Sequence, residues 1–176
     1  MKLKVLKKQN NSAECVVCGM SNPMSLKTQT YELENDIIVG ITTGANFHQS
    51  YPHRMHGGLI TALLDEVIGR AINIVEPNAF GVTASIEVQF KKPVPLDEQI
   101  KVVGKLTRNT SRLFEAEGFI ESESGEILAT AHAKYIKQTM SKIAGEEFTE
   151  ENWFLLKDDV KYVDIKNVDF FNEKHF

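Results

Sequence analysis

The chain has 176 residues, of which 42% are apolar and 25% charged. This length and composition predict one globular domain, large enough to bury a core. The formal net charge of -4 argues against a protein that binds nucleic acid by neutralising phosphates. No apolar run is long enough to span a bilayer, and the lysine-rich start has no apolar segment behind it, so we expect a cytoplasmic protein without a membrane segment.

The first 14 residues are polar without clear periodicity, which predicts a loose start or a short helix. They lead to Cys15-Val16-Val17-Cys18-Gly19. A structural zinc site needs four ligands, and no second cysteine or histidine pair completes this one. A thioredoxin-like motif would lie between a strand and a helix, whereas Ser21-Asn22-Pro23 indicates a turn. We therefore expect two reduced thiols in a structured N-terminal turn.

Alternating strand-like patterns follow on both sides of one long apolar segment. Residues 26–34 and 37–43 predict a β-hairpin, and residues 45–55 a polar loop. A helix is predicted from Gly57 or Gly58 to about Val75, where Glu76-Pro77-Asn78 ends it.

Four strands are predicted after the helix, in an antiparallel meander. The first covers residues 82–90, with Val82, Ala84, Ile86, Val88 and Phe90 on its buried side. The others cover residues 99–106, 113–121 and 127–136, with a turn at 108–111. Small residues on one side of the last strand, Ala129, Ala131 and Ala133, indicate that the helix packs closely there. A helix that is apolar around most of its circumference must be covered on most sides, so we expect the sheet to wrap it.

The last part of the chain differs in composition. Residues 146–156 predict an amphipathic helix, and the aromatic residues Trp153, Phe154, Phe170 and Phe171 indicate that this part packs on the domain or on a neighbouring subunit. We divide the chain into an N-terminal extension with the CxxCG segment (1–25), a central domain (26–137) and a C-terminal extension, part helical (138–176).

The predicted helix carries the chemistry. Gly57 and Gly58 at its start leave N–H groups free of side chains at the positive end of the helix dipole, where they can bind an anion or an oxyanion, although a plain turn is the alternative. Asp65 is an acid among apolar residues, on one helix face with Gly58 and Ala62. Glu66 is turned away and is interpreted as structural, paired or partly exposed.

A distance constraint predicts a dimer. Asp65 lies about two turns, or roughly 10 Å, from Gly58 along the helix axis. Groups so far apart on one straight helix cannot both contact a single carbonyl. Two antiparallel copies of the helix would bring the start of one close to Asp65 of the other, which makes a two-fold dimer an expectation.

Several segments together resemble a known family. His56-Gly57-Gly58, followed after six residues by Asp65-Glu66 and then by a strand through Val82-Thr83-Ala84 that ends at Lys92-Pro93-Val94, is similar to the hot-dog-fold acyl-CoA thioesterases of the phenylacetic-acid-degradation branch. The segment from Cys15 to Pro23 also resembles one that precedes the fold in part of the superfamily. The likeness covers about residues 15–137 and implies an α+β hot-dog fold.

The resemblance also implies roles for individual residues. Asp65 corresponds to the catalytic carboxylate, a general base or a nucleophile, and Gly57 to the residue whose N–H polarises the thioester carbonyl. Thr83 falls near a hydroxyl that orients water, and His56 supports the turn. Some relatives carry an Asn in the preceding loop, where this chain has Ser50. The candidate substrate-binding residues are His56, Gly58, His48, Gln49, Ser50, Arg108 and Arg112, the two arginines for the phosphates of coenzyme A.

Two functions from different classes remain open. The first is hydrolysis of an acyl-CoA or related thioester in a homodimer or homotetramer, with acyl-CoA as the partner. The second is a non-catalytic acyl-CoA-binding protein of the same fold; a hydratase is a weaker third because no matching Asp/His pair is present. We expect no cofactor and no metal, since no carboxylate is spaced with His48, His53 and His56.

Overall fold

The computed structural model describes residues 1–145, 149, 151–173 and 175. One helix of 13 residues packs against an antiparallel sheet of eight strands, the α+β arrangement that the sequence predicts. The elements are, in chain order, β1 (Lys2–Lys8), β2 (Asn11–Ser12), β3 (Gln29–Leu33), β4 (Ile37–Thr43), β5 (Gln49–Tyr51), β6 (Arg54–Met55), α1 (Gly57–Gly69), α2 (Ile72–Val75), β7 (Phe80–Phe90), β8 (Gln99–Asn109), β9 (Leu113–Glu121), β10 (Ile127–Gln138), α3 (Met140–Ala144), β11 (Trp153–Phe154) and β12 (Tyr162–Asp164).

The strand order of the large sheet is β12-β1-β3-β4-β8-β9-β10-β7. The predicted four-stranded meander is therefore wrong for its first strand, because β7 pairs with β10 at the sheet edge and β8 pairs with β4. The segment between β7 and β8, which contains Pro93 and Pro95, carries the chain from the sheet edge past β10 and β9 to β8. Sequence neighbours often pair, but a connection of this length allows the chain to leave its neighbour.

The main core lies between α1 and the sheet. The helix contacts β4, β8, β9, β10 and β7, which are contiguous in the strand order, so the sheet covers it as predicted. Ala129, Ala131 and Ala133 of β10 are fully buried in this core, which confirms that small residues there allow close approach of the helix. The buried positions of the helix are Ile60, Leu63, Leu64, Val67 and Ile68.

The predicted single helix is interrupted after Gly69 and resumes as the short helix α2, which ends at Val75 as predicted. After Gly69 the main chain tightens, with the N–H of Arg70 donating to the carbonyl of Val67 and that of Ala71 to the carbonyl of Ile68. Such i to i−3 bonds are usual in a last helical turn. The break separates α1 from α2 and leaves Arg70 directed towards the N-terminal turn.

The start of the chain is a strand rather than the loose segment or short helix predicted for it. β1 pairs with both β3 and β12, and Leu3 is buried in a second core on the opposite side of the sheet. The predicted hairpin is confirmed as β3 and β4. Its turn contains Asn35 with φ of 66°, a left-handed conformation that asparagine tolerates better than most residues.

The C-terminal part packs on the domain. Val163, Ile165 and Phe170 are buried in the second core, where the ring of Phe119 of β9 packs at a tilt against that of Phe170. The helix predicted for residues 146–156 is wrong where it can be checked, since Trp153 and Phe154 form β11 and pair with β2. Residues 146–148 and 150 lie outside the described residues. The division of the chain at residues 25 and 137 stays a prediction.

Two smaller features complete the fold. β8 extends through Asn109, so the turn predicted at 108–111 begins two residues later and is closed by Thr110, whose hydroxyl bonds to Leu113 O at 2.8 Å. Among the described residues, no helix is both long and apolar enough to cross a membrane.

Candidate active site

Asp65 meets Thr83 of the edge strand β7. The hydroxyl of Thr83 lies 2.9 Å from Oδ1 and 3.1 Å from Oδ2 of Asp65. Both residues line a cavity of about 330 Å³ at the exposed side of α1. The structure thus brings together two of the three residues that the sequence nominated as catalytic.

A β-bulge directs Thr83 towards the helix. Ser85 pairs with Lys134, but Thr83 pairs with Tyr135, so Ala84 is an extra residue in β7. Strict alternation from Ile86 would place Thr83 on the face opposite to the helix. Bulges re-aim side chains in this way beside functional sites. The bulge also explains why Val82, predicted on the buried side, is 45% exposed.

Tyr135 fixes the main chain at the same point. Its hydroxyl donates to the carbonyl of Asp65 at 3.0 Å, and its ring is buried against Phe114. A Cβ on Gly69 would lie 3.0 Å from that ring, so a larger residue would push the ring away from α1 by a few tenths of an ångström. This side chain thus packs on α1 at Gly69, one turn beyond Asp65.

The environment of Asp65 raises the pKa of its carboxyl group above the ordinary value. Burial is the main cause, because removing water disfavours the charged form, and the negative charge of Glu66 adds to it. The hydrogen bond from the Thr83 hydroxyl opposes the rise. A carboxylate of this kind is a better proton acceptor than one in water.

Glu66 is paired, as the sequence interpretation proposed. Its Oε1 accepts from Nη2 of Arg70 at 2.6 Å and from Nε at 3.1 Å. Burial alone would raise the pKa of Glu66, but the guanidinium beside it holds that pKa below the ordinary value. Neighbouring acids in the chain thus differ in role: Glu66 is neutralised by a fixed cation, whereas Asp65 faces the cavity.

The start of α1 provides a separate element. His56 caps the helix, its Nδ1 accepting from the N–H of Gly58 at 2.9 Å. The N–H of Gly58 therefore already has an acceptor. In the part of the chain that the structure describes, no hydrogen bond is found for the N–H of Gly57. Gly57 lines a second cavity, of about 360 Å³, together with Ser50, Arg54, Phe90, Lys91 and Lys92.

The two cavities do not share a residue, so Asp65 and Gly57 open to separate parts of the surface of one chain. Asp65 and Thr83 line the first, and Gly57 lines the second. This is the separation that the helical spacing predicts.

Comparison with known proteins identifies the family. The family model of the thioesterase superfamily matches residues 53–142, just over half of the chain. This range includes Gly57, Asp65 and Thr83. The chain belongs to the thioesterase superfamily. No curated protein matches the sequence significantly.

Solved structures of thioesterase superfamily proteins show the same hot-dog fold. One is 26% identical with a TM-score of 0.63, and the alignment covers 69% of this chain and 59% of that one. The PaaI protein of the E. coli phenylacetic acid degradation operon is 14% identical, with a TM-score of 0.58 and coverage of 64% and 80%. A hypothetical thioesterase from Streptococcus pneumoniae TIGR4, solved with coenzyme A, is 19% identical, with a TM-score of 0.54 and coverage of 58% and 82%.

Three loop residues of this thioesterase superfamily member, His48, Gln49 and Ser50, were predicted to bind substrate, and the structure places them outside the Asp65 cavity. His48 is buried, with Nδ1 accepting from the N–H of Ala45 and Nε2 bonded to the carbonyl of Met24, each at 2.9 Å. The structure places it as an anchor of the loop. Gln49 is exposed in β5, and Ser50 beside it lines the Gly57 cavity.

Arg108 and Arg112 lie around the turn between β8 and β9. Both are exposed, and Nη1 of Arg108 pairs with Glu115 at 3.3 Å. Neither lines the cavity of Asp65 or that of Gly57. The basic residues that the structure does bring to Gly57 are Arg54, Lys91 and Lys92.

Sequence reasoning missed the surroundings of Asp65. Tyr135, Arg70 and the two cysteines line its cavity, as does Trp153, whose ring lies 4.8 Å from the guanidinium carbon of Arg70. They come from four distant segments, and no local pattern connects them. The Cys15, Cys18 and Glu66 ligand atoms lie within 4.8 Å of one another, the one group among the described residues with the composition of a metal site.

Proposed function

We propose that this protein hydrolyses an acyl-CoA or related thioester to the free acid and the thiol. The observation that carries the proposal is the Asp65 carboxylate, partly buried, raised in pKa and held by Thr83 at the wall of a cavity. The family and the solved structure of a relative with coenzyme A support the same class of substrate.

Asp65 acts on the thioester carbonyl carbon, as a base that activates water or as a nucleophile. The single hydroxyl proton of Thr83 is directed at the carboxylate, so its oxygen lone pairs are left to accept from a water molecule. This geometry suits a water held between Thr83 and Asp65. Tyr135 positions the Asp65 main chain from the other side.

Gly57 polarises the carbonyl oxygen. Its N–H is at the positive end of a 13-residue helix, where developing negative charge is stabilised. Arg54, Lys91 and Lys92 beside it place positive charge where the phosphates of coenzyme A would bind.

A complete site forms in a homodimer. β7 is an 11-residue edge strand with Val82 45% and Phe90 55% exposed. Edge strands with exposed apolar residues favour pairing with another chain. A two-fold arrangement of β7 strands sets the two α1 helices antiparallel, so that Asp65 of one chain faces Gly57 of the other.

The test measures thiol release from a panel of acyl-CoA esters with aliphatic and aromatic acyl groups. We expect turnover by the wild type, and a fall of about 10²-fold or more in kcat for Asp65→Asn, the range for loss of a general base. Asp97→Asn is the matched control, because Asp97 is exposed and its left-handed φ of 61° suits asparagine.

Full activity of a folded Asp65→Asn protein would overturn the assignment of Asp65. Tight binding of acyl-CoA by calorimetry, without turnover of any ester in the panel, would favour the non-catalytic binding protein instead.

A further inference from the structure

Cys15 and Cys18 are brought together by a closed turn. The N–H of Gly19 donates to the carbonyl of Cys15 at 2.8 Å, and a Cβ at residue 19 would lie 2.2 Å from that oxygen. Only glycine permits this closure. The two sulfur atoms lie within 4.8 Å of each other as free thiols.

The two thiols have different access to solvent. Cys15 is half-buried and Cys18 is 1% exposed. Both side chains line the cavity of Asp65, whose volume of about 330 Å³ admits a small molecule. A reagent in the cavity therefore meets Cys15 first, with Cys18 behind it.

The hydrogen bonds favour a thiolate on Cys15. Its Sγ accepts from the N–H of Val17 at 3.3 Å. The hydrogen bond from the Cys18 thiol, assisted by the main-chain N–H groups of Val17 and Cys18, lowers the pKa of Cys15 to about 6. Burial and the charge of Glu66 oppose this effect. The same bond and burial raise the pKa of Cys18. One thiol is thus ionised near neutral pH while its neighbour keeps a proton.

The guanidinium of Arg70 lies beside Cys18. Nη2 of Arg70 lies 3.1 Å from Sγ of Cys18 and 2.6 Å from Oε1 of Glu66. The guanidinium therefore contacts two of the three ligand atoms that a metal ion there would use. Among the described residues this group has only three ligand atoms, whereas structural zinc sites use four. The charges favour thiolate chemistry over metal binding.

We propose that Cys15 and Cys18 are a redox-active pair, oxidised to an intramolecular disulfide by low-molecular-weight disulfides that enter through the Asp65 cavity. This proposal does not depend on thioester hydrolysis by Asp65, because the oxidation uses only the two thiols and Arg70.

The reaction proceeds in two exchanges. The Cys15 thiolate attacks one sulfur of the small disulfide, which breaks its S–S bond, forms a mixed disulfide on Cys15 and releases one thiolate. That thiolate takes the Cys18 proton and leaves as a thiol, and Arg70 stabilises the new Cys18 thiolate. Cys18 then attacks Sγ of Cys15 and displaces the second thiolate. The protein loses two electrons and the small disulfide gains them.

The experiment treats the reduced full-length protein with glutathione disulfide near neutral pH, then alkylates free thiols and measures intact mass. We expect the wild type to lose both alkylatable thiols without retaining glutathione, and dithiothreitol to restore both. Cys18→Ser should stop with one glutathione on Cys15, since the second exchange is lost. Cys15→Ser should react about a hundredfold more slowly, because its remaining thiol is buried and protonated.

Circular dichroism of both serine variants checks that they are folded. When the two variants are unfolded in guanidinium, the difference in reaction rate between Cys15 and Cys18 should disappear. A second readout is the pH dependence of Cys15 alkylation in the folded protein, with a midpoint expected at about 6. Wild type that keeps two alkylatable thiols, or that retains glutathione, would overturn the proposal. One zinc ion per chain that is bound through both cysteines and protects them from the disulfide would overturn it as well.

Discussion

Thr83 Oγ1 lies 2.9 Å and 3.1 Å from the two carboxylate oxygens of Asp65, eighteen positions earlier in the chain. This contact exists because β7 carries an extra residue, Ala84, in its pairing with β10. The helix thus supplies the acid and the sheet edge supplies its partner.

Thr83→Val should shift the acidic limb of kcat/KM to higher pH. In the proposed mechanism the active form of Asp65 is ionised, so activity is lost as the pH falls through its pKa, which burial already raises. Thr83 opposes that rise, and valine, which has a similar shape, cannot donate. We also expect kcat/KM on the plateau to fall about tenfold, the size of one hydrogen bond to a charged group.

The measurement is the pH profile of kcat/KM for both proteins. Thr83→Ser keeps the hydroxyl and should restore the wild-type profile. An unchanged acidic limb in Thr83→Val would show that this hydrogen bond does not control Asp65.

Gly57→Pro should remove the N–H of residue 57 and leave the fold intact. Proline is favoured at the first position of a helix, and His56 before it already has an extended conformation, with φ of -63° and ψ of 134°. We expect kcat to fall about 10²-fold, the usual effect of losing an oxyanion donor. Gly57→Ala is the control, since its Cβ would meet Phe90 at an ordinary 3.7 Å and the N–H is kept.

Mixing Gly57→Pro with Asp65→Asn tests the shared site. If each site takes Asp65 from one chain and Gly57 from the other, a mixed dimer has one intact site and one doubly defective site. Denaturing and refolding an equal mixture should therefore restore about one quarter of wild-type activity. Inactivity of the refolded mixture, with mixed dimers demonstrated by tagged chains, would place both groups in one chain.

Glu66→Gln should destabilise the protein at neutral pH by about 3 kcal/mol, because it leaves Arg70, 8% exposed, without its anionic partner. Glu66 itself is 27% exposed, which keeps the cost at the lower end of the range for buried pairs. The pKa of Glu66 is lowered by folding, so this stabilisation is present above the ordinary pKa of a glutamate and is lost as pH falls through the folded value.

Urea unfolding at neutral and acidic pH measures the effect, and the difference between variant and wild type should shrink in acid. Glu87→Gln, at an exposed position of β7, should change the free energy of unfolding by less than about 0.5 kcal/mol. Equal effects of the two substitutions would contradict a specific role of the Arg70 pair.

Phe170→Ala should lower the free energy of unfolding by about 3 kcal/mol. Phe170 is 6% exposed and packs against Phe119, so its removal leaves a cavity in the second core. Leu155→Ala, at a residue that is 47% exposed, should have little effect. A small loss for Phe170→Ala would mean that the C-terminal part can leave the sheet without cost to the domain.

Local pattern predicted much of the fold. Periodicity and turn residues act over a few positions, so the sequence predicts features that depend on them. These features are the hairpin of β3 and β4, the start of α1 at Gly57 and the close packing of the β10 alanines on the helix. The sequence does not predict a strand at the beginning of the chain. β1 is ordered by pairing with β3 and β12, which lie far away in sequence.

For the candidate site, the sequence by itself determined that Asp65 and Gly57 stand about two helical turns apart, because helix geometry fixes that spacing. It also placed two thiols three residues apart. Only the tertiary structure decided what surrounds them. A bulge in β7 turned Thr83 towards Asp65, and the break after Gly69 aimed Arg70 at Cys18. Such contacts join segments whose register depends on the whole packed core, which no local pattern encodes.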